Sequence, residues 1–250
     1  MKTNLITMLS IASAISVGLV ACAPAPAPAP TSAPVATVAA APTAAPATAA
    51  PATAAPAAKA PVPAGALTLK IVEGESNAQY EVNETFINQS NKLATAIGVT
   101  PKVNGEIQLN TQDPSKTQVG KITVDVSLLK SEGNANGNGS ARRDGFIKGA
   151  ALESGKYPIA EFTPKTYEGL PAAYKTGDTL KFKMSGDMKV HETVTPVTWD
   201  VEAAYDGSVL KGKATTAVKM SMFGFQAPNI AGMLRAEDDT KLALVFVAKP

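Results

Sequence analysis

The chain has 250 residues, 23 Lys+Arg against 21 Asp+Glu, a formal net charge of +2, one cysteine and one histidine. Charges this balanced, with both signs interspersed and no basic run, exclude a polyanion footprint and hence nucleic acid as the partner. A single cysteine excludes an internal disulfide framework.

The chain opens with Lys2, an apolar run from Leu5 to Val20, and Ala21 before Cys22. A charged start, an apolar stretch and a small residue at the cut are the parts of a secretory signal, and the run is too short for a spanning helix. Leu19-Val20-Ala21-Cys22 resembles the bacterial lipobox, which implies removal of residues 1–21 and lipidation of the Cys22 thiol. An ordinary cleaved signal with an incidental cysteine is the other reading, and it leaves an exported protein with an unexplained thiol. Acyl chains on Cys22 make the expected location extracytoplasmic and membrane-anchored, in the periplasm or on the surface of a bacterium.

Residues 22–64 form a spacer of Ala, Pro, Thr, Ser and Val with no aromatic residue and one charge, Lys59. Proline removes backbone donors, and alanine and threonine offer too little apolar area to offset chain entropy. A fully polyproline II stretch of this length reaches on the order of 130 Å at ~3.1 Å per residue, with flexible Ala-Thr segments shortening the mean.

Residues 65–250 carry every Trp, Tyr and Phe and form one predicted domain. Its dominant period is two. Strands are predicted at 67–72, 78–82, 95–99, 103–110, 122–128, 159–166, 179–190, 194–205, 210–214 and 241–247. The segment 179–190 is the clearest, with Leu180, Phe182, Met184, Gly186, Met188 and Val190 alternating against Lys181, Lys183, Ser185, Asp187 and Lys189. Successive strand side chains point to opposite faces, so the sheet is antiparallel with one wet face. Tyr205-Asp206-Gly207-Ser208 carries the Asp-Gly pair of a tight hairpin. One short helix is predicted between residues 142 and 152. The glycine- and asparagine-rich stretch before it is expected as a loop, either gating a barrel mouth or forming a surface turn.

Met184, Met188, Met220, Met222 and Met233 crowd the last seventy residues. Thioethers adapt to irregular apolar shapes, so they suit either a lipid-holding lining or core filling. Gly186, Gly212 and Ala214 share parity with large apolar residues, which leaves volume inside or marks bends. His191, near a hairpin end, reads as a turn residue.

Three segments carry a family resemblance. Arg143-Asp144-Gly145-Phe146-Ile147-Lys148 with Lys156-Tyr157-Pro158-Ile159-Ala160-Glu161-Phe162 is the first, and Gly186 through Trp199, with Thr195-Pro196-Val197-Thr198, is the second. The third is Met222-Phe223-Gly224-Phe225 with the closing strand. Together they resemble the YceI-like family of polyisoprenoid-binding proteins over roughly residues 67–248. The chain departs from the family pattern at Glu192, at Ala150-Ala151 and at Met222.

The resemblance implies an all-β, extended, lipocalin-like antiparallel barrel of about eight strands with one short helix. Its apolar interior is expected to hold an isoprenoid quinone or polyprenyl lipid as ligand, with no cofactor or metal. Expected ligand contacts are Phe182, Met184, Met188, Trp199, Leu210, Met220, Phe223 and Phe246, with Arg143 offering forked donors to a polar head group unless it bonds Asp144 or caps the helix. No catalytic constellation assembles: there is no G-x-S-x-G, no H-E-x-x-H and no phosphate-cradling glycine loop, so no enzyme is expected. The expected partners are a long apolar lipid, the membrane and an unidentified membrane protein that receives the lipid. The alternative is an envelope interaction module whose barrel is filled by its own side chains.

Overall fold

The computed structural model describes residues 65–132 and 140–250, so the leader, Cys22, the spacer and most of the glycine-asparagine loop lie outside the described residues. Ten predicted segments become eight strands, because two pairs of neighbouring segments are halves of long bent strands. β1 is Ala66–Ile71 continuing as Asn77–Phe86. β2 is Lys92–Thr100 with Val103–Asn104 and Glu106–Asn110. β3 combines Gln118–Val119, Ile122–Asp125 and Lys130–Ser131. β4 (Ile159–Glu168), β5 (Thr179–Val190), β6 (Thr193–Tyr205), β7 (Leu210–Lys219) and β8 (Leu234–Lys249) complete the barrel strands, and the two-residue strand Asn229–Ile230 pairs with the start of β8.

Each strand pairs antiparallel with its neighbour in sequence, from β1 with β2 through β7 with β8. β8 then closes on β1, with Lys249 opposite Lys70 and Leu242 opposite Tyr80. The result is an up-and-down barrel of eight strands among the described residues, a size that either fills with side chains or encloses one ligand. Ser76 pins the closing seam: its hydroxyl donates to Val247 O at 3.3 Å and accepts from Val247 N at 3.0 Å.

The alternation seen in the sequence sets the two faces. Leu180, Met184 and Val190 of β5 and Val197, Trp199, Val201 and Ala203 of β6 point inward and are buried. The wet face carries cross-strand ion pairs such as Lys181–Glu202 at 2.7 Å and Lys241–Glu81 at 3.0 Å. These are exposed and contribute little each.

Two expectations change. The strand predicted over 122–128 stops at Asp125, whose carboxylate accepts from Ser127 N at 2.9 Å and starts a 3-10 turn over Val126–Leu128. Leu128, which shares parity with the buried Ile122 and Val126, is therefore exposed. The predicted helix is α1 (Ser140–Phe146), which runs on into a π-helical turn over Ile147–Ala151.

The barrel has two unlike ends. At one, β7 begins and β8 finishes, and the β4–β5 connection folds across: the Tyr174 hydroxyl donates to Tyr205 O at 2.6 Å and accepts from Tyr205 N at 2.7 Å. At the other, the helix rim, β1, β3, β5 and β7 end and α1 docks. The Asp144 carboxylate there accepts from Ser131 N at 2.7 Å.

Candidate functional site: the barrel interior

Two adjoining cavities of about 50 Å3 each run through the interior. They share Ile122, Met184, Ala214 and Leu244 in their walls. The one toward the helix rim adds Phe162, Met188 and Trp199. The one toward the opposite end adds Phe182, Leu210, Phe246 and Leu170 of the β4–β5 connection. Each volume is a few times the minimum for one water. A long lipid tail enters only if the lining moves. Met184 and Met188, with flexible thioether chains, are the side chains best suited to yield.

Six of the residues expected from the sequence thus meet in these walls: Phe182, Met184, Met188, Trp199, Leu210 and Phe246. Met220 and Phe223 do not line them. Both lie in the 3-10 turn Met220–Phe223 after β7, with Phe223 buried against the core and Gly224 closing the turn at φ 85°. Arg143 differs most from expectation. Its guanidinium is committed to Glu84, with Nη2 to Oε2 at 2.7 Å and Nε to Oε1 at 3.3 Å. Both side chains are shielded, at 15% and 7% exposure, and the pair fastens α1 to β1 at the helix rim.

Sequence reasoning missed Glu84 because it shares inward parity with Tyr80 and Val82, where a carboxylate is unexpected without its distant partner. Ile122 and Leu244 carried a usable signal, the alternating parity of their own strands, β3 and β8. Gly212 and Gly186 do not leave room, contrary to one of the two expectations for them. A Cβ on Gly212 would lie 2.5 Å from Phe246 Cζ, so the phenyl ring already fills that space. Gly186 lies at the register shift where Ser185 faces Thr166 and Gly186 faces Pro164, which makes it a close-approach point. Ala214 alone of the three borders both cavities.

Few polar atoms interrupt the interior. The Trp199 indole meets Phe162 edge-on at 6.0 Å, and its N–H is buried with no hydrogen-bond partner. The Tyr80 ring lies over Gly98, where an added Cβ would sit 2.1 Å from it, and covers a strand position that has no side chain. The Tyr80 and Ser131 hydroxyls influence one another electrostatically but close no hydrogen bond. Burial above all pushes the Tyr80 phenol up from its ordinary value. His191 sits in the β5–β6 turn at φ 54°, between Tyr157 at 5.1 Å and Phe225 at 5.3 Å. Among the described residues no group of three or more His, Cys, Asp or Glu side chains forms a metal cluster.

Tyr80 gives a direct prediction. A group whose folded pKa is raised stabilises fully below its unfolded value, here about 10, and that contribution is lost as pH rises through the folded value. Tyr80→Phe removes an unsatisfied hydroxyl, so stability at pH 8 should change by no more than about 1 kcal/mol. Between pH 9 and 11 the variant should lose less than the parent in urea titrations. Tyr167, also raised by burial, keeps part of the alkaline fall in both proteins.

A closed antiparallel barrel around a mostly apolar interior defines a lipocalin-like architecture. The chain belongs to the YceI-like domain family, whose pattern matches residues 69–248. BcnA of Burkholderia cenocepacia is similar in fold, with TM-score 0.53 and 16% identity over 72% of this chain and 99% of that one. A polyisoprenoid binding domain from Saccharophagus degradans, implicated in plant cell wall breakdown, has TM-score 0.53 and 11% identity over 72% of this chain and 97% of that one. No curated protein sequence matches the chain.

Proposed function

We propose that this protein is a lipid-anchored, extracytoplasmic carrier that holds an isoprenoid quinone or polyprenyl lipid inside the barrel for storage or transfer, without catalysis. The carrying observation is the pair of adjoining apolar cavities along the barrel axis, walled in part by two methionines. Family membership and the fold shared with a polyisoprenoid binding domain support it. The driving force is apolar area leaving water, ~25 cal/mol per Å2, which rewards long tails and discriminates weakly among them. The lipobox and spacer support anchorage through Cys22. One observation favours a second reading, a self-filled interaction module: the cavities are small, and Phe246 packs where Gly212 has no side chain.

Native mass spectrometry of the mature protein, with organic extraction, separates the two. A stoichiometric quinone or polyprenyl mass establishes the carrier. A bare polypeptide that also takes up no added quinone establishes the module. Ala214→Leu places a branched side chain between the two cavities, and it should lower lipid occupancy about tenfold while the barrel still unfolds cooperatively.

A further inference from the structure

The two ends of the barrel differ in what they show to solvent. Among the described residues, the exposed large apolar side chains gather at the helix rim, and only Leu67 and Val245 lie elsewhere. Ile87 and Leu93 flank the β1–β2 turn, Ile159 starts β4, Val194 stands near the start of β6, and Met222 and Met233 lie in the β7–β8 connection. Neighbours in sequence are neighbours around this barrel, so these positions are spread around its circumference. Leu93 and Val194 stand furthest out, at 77% and 55% exposure. The connections are joined to one another: Ile87 N donates to Met233 O at 2.9 Å, and the Thr195 hydroxyl to Met222 O at 3.1 Å. Scattered exposed apolar residues are ordinary, but their gathering at one end of the barrel and near absence from the rest of the described surface points to a contact surface.

We propose that the helix rim docks on a lipid bilayer, inserting these side chains into the interfacial region so that this end of the barrel faces the membrane. The inference rests on the proposed function for its purpose and for the anchor at Cys22, while the surface itself is defined independently of any bound lipid. The chain outside the structure argues for a bilayer as the occupant. Residues 22–64 join β1 at the opposite end, next to Gly65. The spacer's fully extended limit, on the order of 130 Å, exceeds the roughly 40 Å length of a 12-residue strand, so its length permits a barrel anchored at Cys22 to turn its far end to the same membrane. Charge does not select the surface. Exposed Lys92, Lys130 and Lys189 share this end with Glu153 and Glu192, so insertion of apolar side chains carries the attachment.

The test uses the mature chain from residue 22 with Cys22→Ser, which removes acylation and leaves no other cysteine. Leu93→Cys or Leu67→Cys is added and labelled with a polarity-sensitive dye. Vesicles of phosphatidylcholine, alone or with phosphatidylglycerol, should shift and brighten the dye at residue 93 severalfold and leave the dye at residue 67 unchanged, at low and at high salt. Leu93→Glu with Val194→Glu should reduce flotation with these vesicles at least tenfold while circular dichroism and thermal unfolding stay unchanged. Response at both dye positions or at neither, or flotation of the double variant like its parent, overturns the proposal. Extracted lipid, measured on the same samples, keeps the two ideas apart. An empty barrel that docks by this rim retains the docking surface and removes the carrier, and a loaded barrel that does not dock does the reverse.

Discussion

Gly186→Ala should destabilise the barrel by more than about 4 kcal/mol, enough to leave little folded protein if the parent has the usual margin of about 5–15 kcal/mol. The new Cβ would sit 2.2 Å from Thr163 O and 2.8 Å from Pro164 Cα. Both obstacles are backbone atoms of β4, so no side-chain rotation relieves the clash. Moving β4 away would break its pairing with β5 on both sides of the bulge, from Lys189 opposite Glu161 to Lys183 opposite Glu168. Pro164, lacking an N–H, is tolerated here because the bulge interrupts the ladder. Gly145→Ala is the internal control: nothing lies within 4 Å of its added Cβ, and stability should change little. Urea titration of both variants checks the contrast.

Arg143→Met should cost about 3–5 kcal/mol, because it strands the Glu84 carboxylate in a buried site without its cation. The double variant Glu84→Leu with Arg143→Met should recover most of that loss, since an apolar pair of similar volume needs no compensation for desolvated charge. Recovery distinguishes a penalty for a stranded charge from simple loss of packing by the arginine stem. The single variant should also release α1. Limited proteolysis, followed by mass spectrometry, should show new cleavage in residues 140–151, while β5 and β6 stay intact.

The fold was largely legible, and the reasons are local. Alternation along residues 179–190 and 194–205 gave strand identity, facing and the shared hairpin, because a side-chain period of two survives whatever the strand pairs with. The long bent strands β1 and β2 were not legible. Residues 72–76 break the pattern locally, and only pairing of Asn77–Phe86 with both β8 and β2 shows that the strand resumes on the same course. The break in β3 after Asp125 was hidden because Val126 and Leu128 keep strand parity while the Asp125 cap turns the chain. Most of the site followed from parity on β5 to β8. Glu84 and Arg143 did not, since their contact joins residues 59 apart and no sequence pattern marks it.

The seam between β8 and β1 has a consequence for assembly. Every other strand pairs with the strand beside it in the chain, through tight turns such as β5–β6 or through longer connections at β3–β4 and β7–β8, and all of these are more local than the seam. Ser76 and Val247, which bond across the seam, are 171 residues apart. Synthesis supplies β1 first and β8 last, and until residue 249 arrives β1 presents an unpaired edge to any other strand nearby. A chain cut short before β8 would leave two open edges, on β1 and on β7, as a template for aggregation.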